Sequence, residues 1–267
     1  MSRINQVFTQ LKQLDRPGLI PFITAGDPDL ATSVELVHTL AAAGADVVEL
    51  GFPFSDPSAD GPTIQAASER ALVAGTSLAG VLQLVAEVRK TSQIPIVLMG
   101  YFNPVYRYGV ERFALDAAAS GVDGLLLVDL PPEESAEVLP SLQQAGIDLI
   151  TLLAPTTPPE RMKDLAELGS GYLYYVSMTG VTGSRRLDPE DIRQAVSAVR
   201  KLSPIPVGVG FGITTPEDAA TVGSYADAVV VGSALVKVIA EHGCSPELQS
   251  RVHSFISDLR QALDTCR

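Results

Sequence analysis

The sequence predicts an α/β fold, a (β/α)8 TIM barrel with one additional helix near each end, and three observations carry that expectation. Eight short runs rich in Val, Ile and Leu recur along the chain, and amphipathic stretches separate them. No linker or low-complexity segment interrupts the alternation. The length of 267 residues exceeds a common domain size of ~150 but suits a barrel of ~250 residues. An open doubly wound sheet competes, because periodicity alone does not distinguish it. Eight repeats in this length favour a closed barrel, read as one domain over residues 1–267.

The elements follow in order. A helix is expected over residues 3–14, ahead of the first strand at residues 18–24. Leu30, Val34, Val37 and Ala41 then recur at helical spacing. Further strands are expected at 46–51, 95–101, 124–129, 148–153, 172–177, 206–210 and 226–232. Ile192, Val196 and Val199 mark a helix between the sixth and seventh runs. Leu248, Val252, Ile256, Leu259 and Leu263 mark the last helix. Thr157, Asp188 and Thr215 each precede proline and acids, as helix caps do: the side-chain oxygen accepts a free N–H, and the acids suit the positive helix end.

Composition narrows the function. With 46% hydrophobic and 19% charged residues, the chain is no disordered segment. Its 31 acids against 19 Lys and Arg, a net charge of −12, argue against a nucleic-acid groove or an anionic membrane surface. No stretch approaches the ~20 apolar residues that span a bilayer, and the start Met1-Ser2-Arg3-Ile4 has no apolar signal core, so a cytoplasmic enzyme is expected. Cys244 and Cys266 form neither a disulfide framework nor a metal-ligand spacing.

Scarce residues decide the chemistry. His38, His242 and His253 all fall away from the strand ends where a barrel places its site, so no histidine metal ligand or base is expected. Lys12, Lys90, Lys163, Lys201 and Lys237 lie in helical stretches or at their ends, which argues against a Schiff base. Carboxylates and tyrosines remain. Glu49 closes an apolar strand, so burial favours its protonated form. Asp60 ends a Pro- and Gly-punctuated loop and is expected to be partly solvated and ionised. The competing reading makes Glu49 a structural buried acid, and Asp56 and Asp60 turn formers. Glycines at 180 and 183, 208, 210 and 212, and 232, followed by Ser233, suit a phosphate site at the last loops. Phe22, Tyr101, Leu126, Asp129, Tyr174 and Phe211 suggest a flat apolar substrate body between acids and phosphate. Residues 180–186, with Arg185 and Arg186, read as a lid.

The loop Ser55-Asp56-Pro57-Ser58-Ala59-Asp60-Gly61-Pro62 closely resembles the signature of the tryptophan synthase alpha chain family. The likeness extends over essentially the whole chain, through Pro21-Phe22-Ile23-Thr24-Ala25-Gly26-Asp27-Pro28, Gly100-Tyr101-Phe102-Asn103-Pro104, Asp129-Leu130-Pro131, Gly180-Val181-Thr182-Gly183 and Gly208-Val209-Gly210-Phe211-Gly212-Ile213. The resemblance implies retro-aldol cleavage of indole-3-glycerol phosphate to indole and glyceraldehyde 3-phosphate. It makes Glu49 the group that protonates indole C3, and Asp60 the acceptor of the indole N–H. It has Tyr174 assist positioning, Thr182 close the lid, and Gly183, Gly212, Gly232 and Ser233 hold the phosphate. It further implies a pyridoxal-phosphate beta chain as partner in an α2β2 complex, faced by Pro53, Asp56 and Asn103, with no cofactor on this chain. Ser58 departs from the leucine usual in the family. Alternatives are a stand-alone lyase releasing free indole, a phosphate-binding barrel isomerase, and a non-catalytic activator of a partner.

Overall fold

The structure, a computed structural model, describes residues 2–176, 189–210 and 212–266. The described elements begin with α1 (Arg3–Gln13), β1 (Gly18–Thr24), α2 (Leu30–Ala42), β2 (Val48–Gly51), α3 (Pro62–Val73), α4 (Leu78–Arg89) and β3 (Ile96–Gly100). Next come α5 (Phe102–Tyr108), α6 (Val110–Ser120), β4 (Gly124–Leu127), a 3-10 turn (Pro132–Glu137), α7 (Leu139–Ala145), β5 (Asp148–Leu149), β6 (Thr151–Leu153) and α8 (Pro159–Leu168). The series ends with β7 (Leu173–Val176), α9 (Pro189–Leu202), β8 (Val207–Gly210), α10 (Pro216–Gly223), β9 (Ala228–Val231), α11 (Ser233–His242) and α12 (Leu248–Asp264).

The strands are all parallel and run β5-β4-β3-β2-β1-β9-β8-β7-β6. Only Ile150 separates β5 from β6, so the two ends of this order belong to one run of chain and the sheet closes on itself. A barrel results, and the open sheet is ruled out. The strand expected at 148–153 is thus split. Its first half pairs with β4 and its second with β7, with the Ile150 N–H still donating to Leu125 O at 2.9 Å. Barrel stagger accounts for this, since each neighbour engages a different length of the strand.

Alternation sorts the side chains. Ile20, Val47, Val97, Leu126, Ile150, Tyr172, Tyr174 and Val230 point inward and pack together, while the larger cluster lies between strands and helices. Helix α1 closes the N-terminal mouth by inserting Ile4, Phe8 and Leu11 into the inner cluster. The other mouth is thereby the open one. At the far end of the chain, α12 buries Leu248, Val252, Ile256, Leu259 and Leu263.

The cap expectations divide. Thr215 forms a full capping box with Asp218. Thr157 does not cap α8: its Oγ1 accepts from the Ala154 N–H at 3.0 Å, and Pro158 takes the cap position without a side-chain bond. A hydroxyl beside a tight turn finds the nearer donor. Asp188 lies outside the described residues.

Candidate active site

Glu49 stands in β2, in register with Phe22 of β1 and Val97 of β3, and has no exposed surface. Its Oε1 accepts the Tyr172 hydroxyl at 2.5 Å. Oε2 is buried with no partner among the described residues. Loss of water raises the carboxyl to about 8, against the opposing pull of Tyr172. Glu49 therefore carries a proton at neutral pH, as its apolar strand suggested, with one oxygen held by Tyr172 and the other without a donor among the described residues.

Asp60 lies in the loop between β2 and α3. The Tyr101 hydroxyl donates to its Oδ2 at 3.2 Å and accepts the Ala59 N–H at 2.9 Å. Phe54 stacks on Tyr101 with ring centroids 5.3 Å apart. Covered in this way, Asp60 is less solvated than its loop position suggested, and burial raises it to about 6. It remains predominantly a carboxylate at neutral pH. The two carboxyls thus titrate on opposite sides of neutrality, a pairing that allows one to act as acid while the other stays charged.

Both carboxyls face one cavity of about 120 Å³ that also meets Phe22, Met99, Tyr174, Gly212, Gly232 and Ser233. A second cavity of about 610 Å³ shares Asp60, Met99 and Tyr174, and continues along Leu127, Val128, Leu152 and Leu153. Acids and glycines therefore sit at one end and an apolar space opens beside them. Tyr174 stands at the junction, and its seat depends on Gly210: a Cβ there would lie 2.1 Å from the Tyr174 hydroxyl oxygen. At the glycine end, Gly212 adopts φ +79°, which favours glycine. Gly232 precedes α11, whose first turn has no side-chain cap, leaving N–H groups able to meet an anion.

Other expected positions are placed differently. Leu126 has no exposed surface and packs in the inner cluster with Tyr172 and Tyr174, while its neighbours Leu127 and Val128 line the larger cavity. Asp129 lines that cavity too, but its Oδ1 accepts the Phe102 N–H at 2.8 Å at the start of α5. Asp56, bonded to the Ser55 hydroxyl at 2.6 Å, and Asn103 are exposed, whereas Pro53 is buried within the chain. Thr182, Gly183, Phe211 and the lid expected at 180–186 lie outside the described residues. Tyr172 was not singled out from the sequence. Its signal was the two-residue spacing from Tyr174, which turns both rings to the same side of the strand. Among the described residues, no group of three His, Cys, Asp or Glu is placed to hold a metal ion.

Two carboxyls with tyrosine partners, gathered on one cavity at the open mouth of a closed parallel barrel, put the chain in the class of α/β-barrel proteins with acid–base groups at the strand ends. Comparison with known proteins narrows the class. The family model described as "Tryptophan synthase alpha chain" matches residues 8–263. The tryptophan synthase alpha chain of Geobacter sulfurreducens is 54% identical, covering 98% of this chain and 99% of that one. That of Citrifermentans bemidjiense is 53% identical, covering 98% of each. The crystal structure of tryptophan synthase subunit alpha from Legionella pneumophila str. Paris superposes with a TM-score of 0.92 at 42% identity, covering 99% of each chain. A chain of Mycobacterium tuberculosis tryptophan synthase superposes with a TM-score of 0.90 at 37% identity, covering 98% of each. The chain belongs to the tryptophan synthase alpha chain family.

Proposed function

We propose that Glu49 and Asp60 carry out the retro-aldol cleavage of indole-3-glycerol phosphate, the alpha reaction of tryptophan biosynthesis that belongs to this family. The carrying observation is the pair of carboxyls on one cavity, raised to about 8 and about 6. Neutral Glu49 gives its proton to indole C3, and the ring becomes cationic. Asp60 accepts the ring N–H and faces the positive charge. The Glu49 carboxylate then takes the proton of the side-chain hydroxyl. The carbonyl of glyceraldehyde 3-phosphate forms, the carbon–carbon bond breaks, and its electron pair restores the neutral indole. Glu49 ends as it began, so no proton is consumed.

The indole body occupies the apolar space beside Asp60 and Tyr174, with Phe22 and Tyr101 at its edges. The phosphate is assigned to Gly212, Gly232 and Ser233 at the start of α11; the family resemblance adds Gly183 to that site and gives Thr182 the closing of the lid. The long apolar cavity favours an aromatic substrate over the small sugar phosphate of an isomerase. The chain works without a cofactor of its own, in the cytoplasm, and delivers indole to a pyridoxal-phosphate beta chain in an α2β2 complex through the face that carries Asp56 and Asn103. Glu49→Gln and Asp60→Asn are each expected to lower indole formation by at least about a hundredfold while the circular dichroism spectrum stays native. Near-normal turnover in either variant would remove the role given to that residue.

A further inference from the structure

Helix α3 carries two side chains that the chemistry above does not use. Gln65 lies one turn into the helix, and its Nε2 donates to Asp60 O at 3.0 Å and to Pro57 O at 3.3 Å. Both partners are carbonyl oxygens, so the position calls for a group with two hydrogens to give. An amide NH2 meets that demand, and a carboxylate does not. The two carbonyls bracket a turn in which the Asp60 N–H donates to Pro57 O at 3.0 Å. The helix itself starts at Gly61 without a side-chain cap, so Gln65 takes up the task of joining loop to helix.

On the other side of α3, Arg70 donates from Nε and Nη2 to the two carboxylate oxygens of Asp27 at 2.8 and 2.7 Å. Asp27 is buried just beyond β1. Two parallel bonds of this kind fix direction as well as distance. Ala67 has no exposed surface and packs with Phe22, which seats the helix between its two polar tethers. A continuous line of contacts thus runs from the end of β1 through Asp27, Arg70 and α3 to Gln65 and the main chain of Asp60.

We propose that Gln65 is the positioning residue for Asp60, holding the main chain on which its carboxylate is aimed, and that the Asp27–Arg70 pair anchors the helix from which Gln65 reaches. The inference rests on Asp60 facing the cationic indole as described above. A carboxylate needed for a charge that appears only in the transition state is sensitive to small misplacement. Releasing its main chain should therefore slow turnover more than it weakens substrate binding.

Steady-state indole formation by the full chain tests this with Gln65→Met, close in size but without donors, and with Gln65→Glu. Both are expected to lose roughly ten- to a hundredfold in kcat, with KM within about twofold and little change in melting temperature. Arg70→Lys keeps the charge but loses the fork, and should show the same split at smaller size. Combined with Asp60→Asn, Gln65→Met should slow the reaction no further, because the carboxylate it served is gone. Should Gln65→Met fail to fold, Gln65→Asn, whose shorter arm leaves the carbonyls, is read in the same way. Unchanged kcat in the folded Gln65 variants would overturn the proposal, as would a fall in melting temperature alone or an equal added loss on Asp60→Asn. Full activity of Asp60→Asn by itself would instead sink the role of Asp60, and the proposal with it.

Discussion

Glu49 keeps its proton because β2 holds it among apolar neighbours, with Tyr172 satisfying one oxygen. Its folded value of about 8 lies above the ordinary 4.5, so the protonated form contributes stability that is complete below about 4.5 and is lost as pH rises through about 8. Glu49→Gln is neutral at every pH. It should therefore melt higher than the parent chain by roughly 2 °C or more above about pH 8, a difference that closes toward about pH 4.5, as calorimetry would show. An inactive but more stable variant is the expected mark of a residue placed for chemistry. Glu49 and its burial were legible in the sequence, because an acid in an otherwise apolar strand stands out. The burial of Asp60 was not, because Tyr101 and Phe54 come to it from elsewhere in the chain or loop. Gln65 and Arg70 were silent for a related reason: polar residues on a helix most often face water, and only the fold shows what these two reach.

Helix α1 acts on the site from the opposite mouth of the barrel. Phe8 lies in the inner cluster with its ring 5.8 Å from that of Tyr172, the donor to Glu49. Phe8→Ala should cost about 3–5 kcal/mol in stability by denaturant unfolding, and should also lower kcat through the loosened tyrosine. A loss of stability with kcat unchanged would separate the plug from the site. The elements themselves were readable wherever one signal sufficed. Continuous apolar runs marked the strands, and the Thr215 sequence marked its capping box. Two features needed the third dimension. The division of the strand around Ile150 follows from which neighbour each half meets, and the loss of Thr157 as a cap follows from a nearer turn.

For the whole molecule, the net charge of −12 is compatible with the proposed phosphate site, because the start of α11 offers backbone N–H donors with no side-chain cap. If the exposed Asp56 of the β2–α3 loop and Asn103 of α5 meet a beta chain, adding that chain should raise the rate of indole formation, and Asp56→Ala should blunt the rise while sparing the basal rate. A rise of the same size in the variant would move the contact elsewhere. The central claim is narrower: a protonated Glu49 and an ionised Asp60 together break the carbon–carbon bond. The initial rate of indole formation from indole-3-glycerol phosphate, followed from about pH 5 to about pH 10, tests it most directly. The expected kcat/KM profile is a bell that rises near pH 6 as Asp60 ionises and falls near pH 8 as Glu49 loses its proton. A rate that continues to climb through pH 8 would contradict the account.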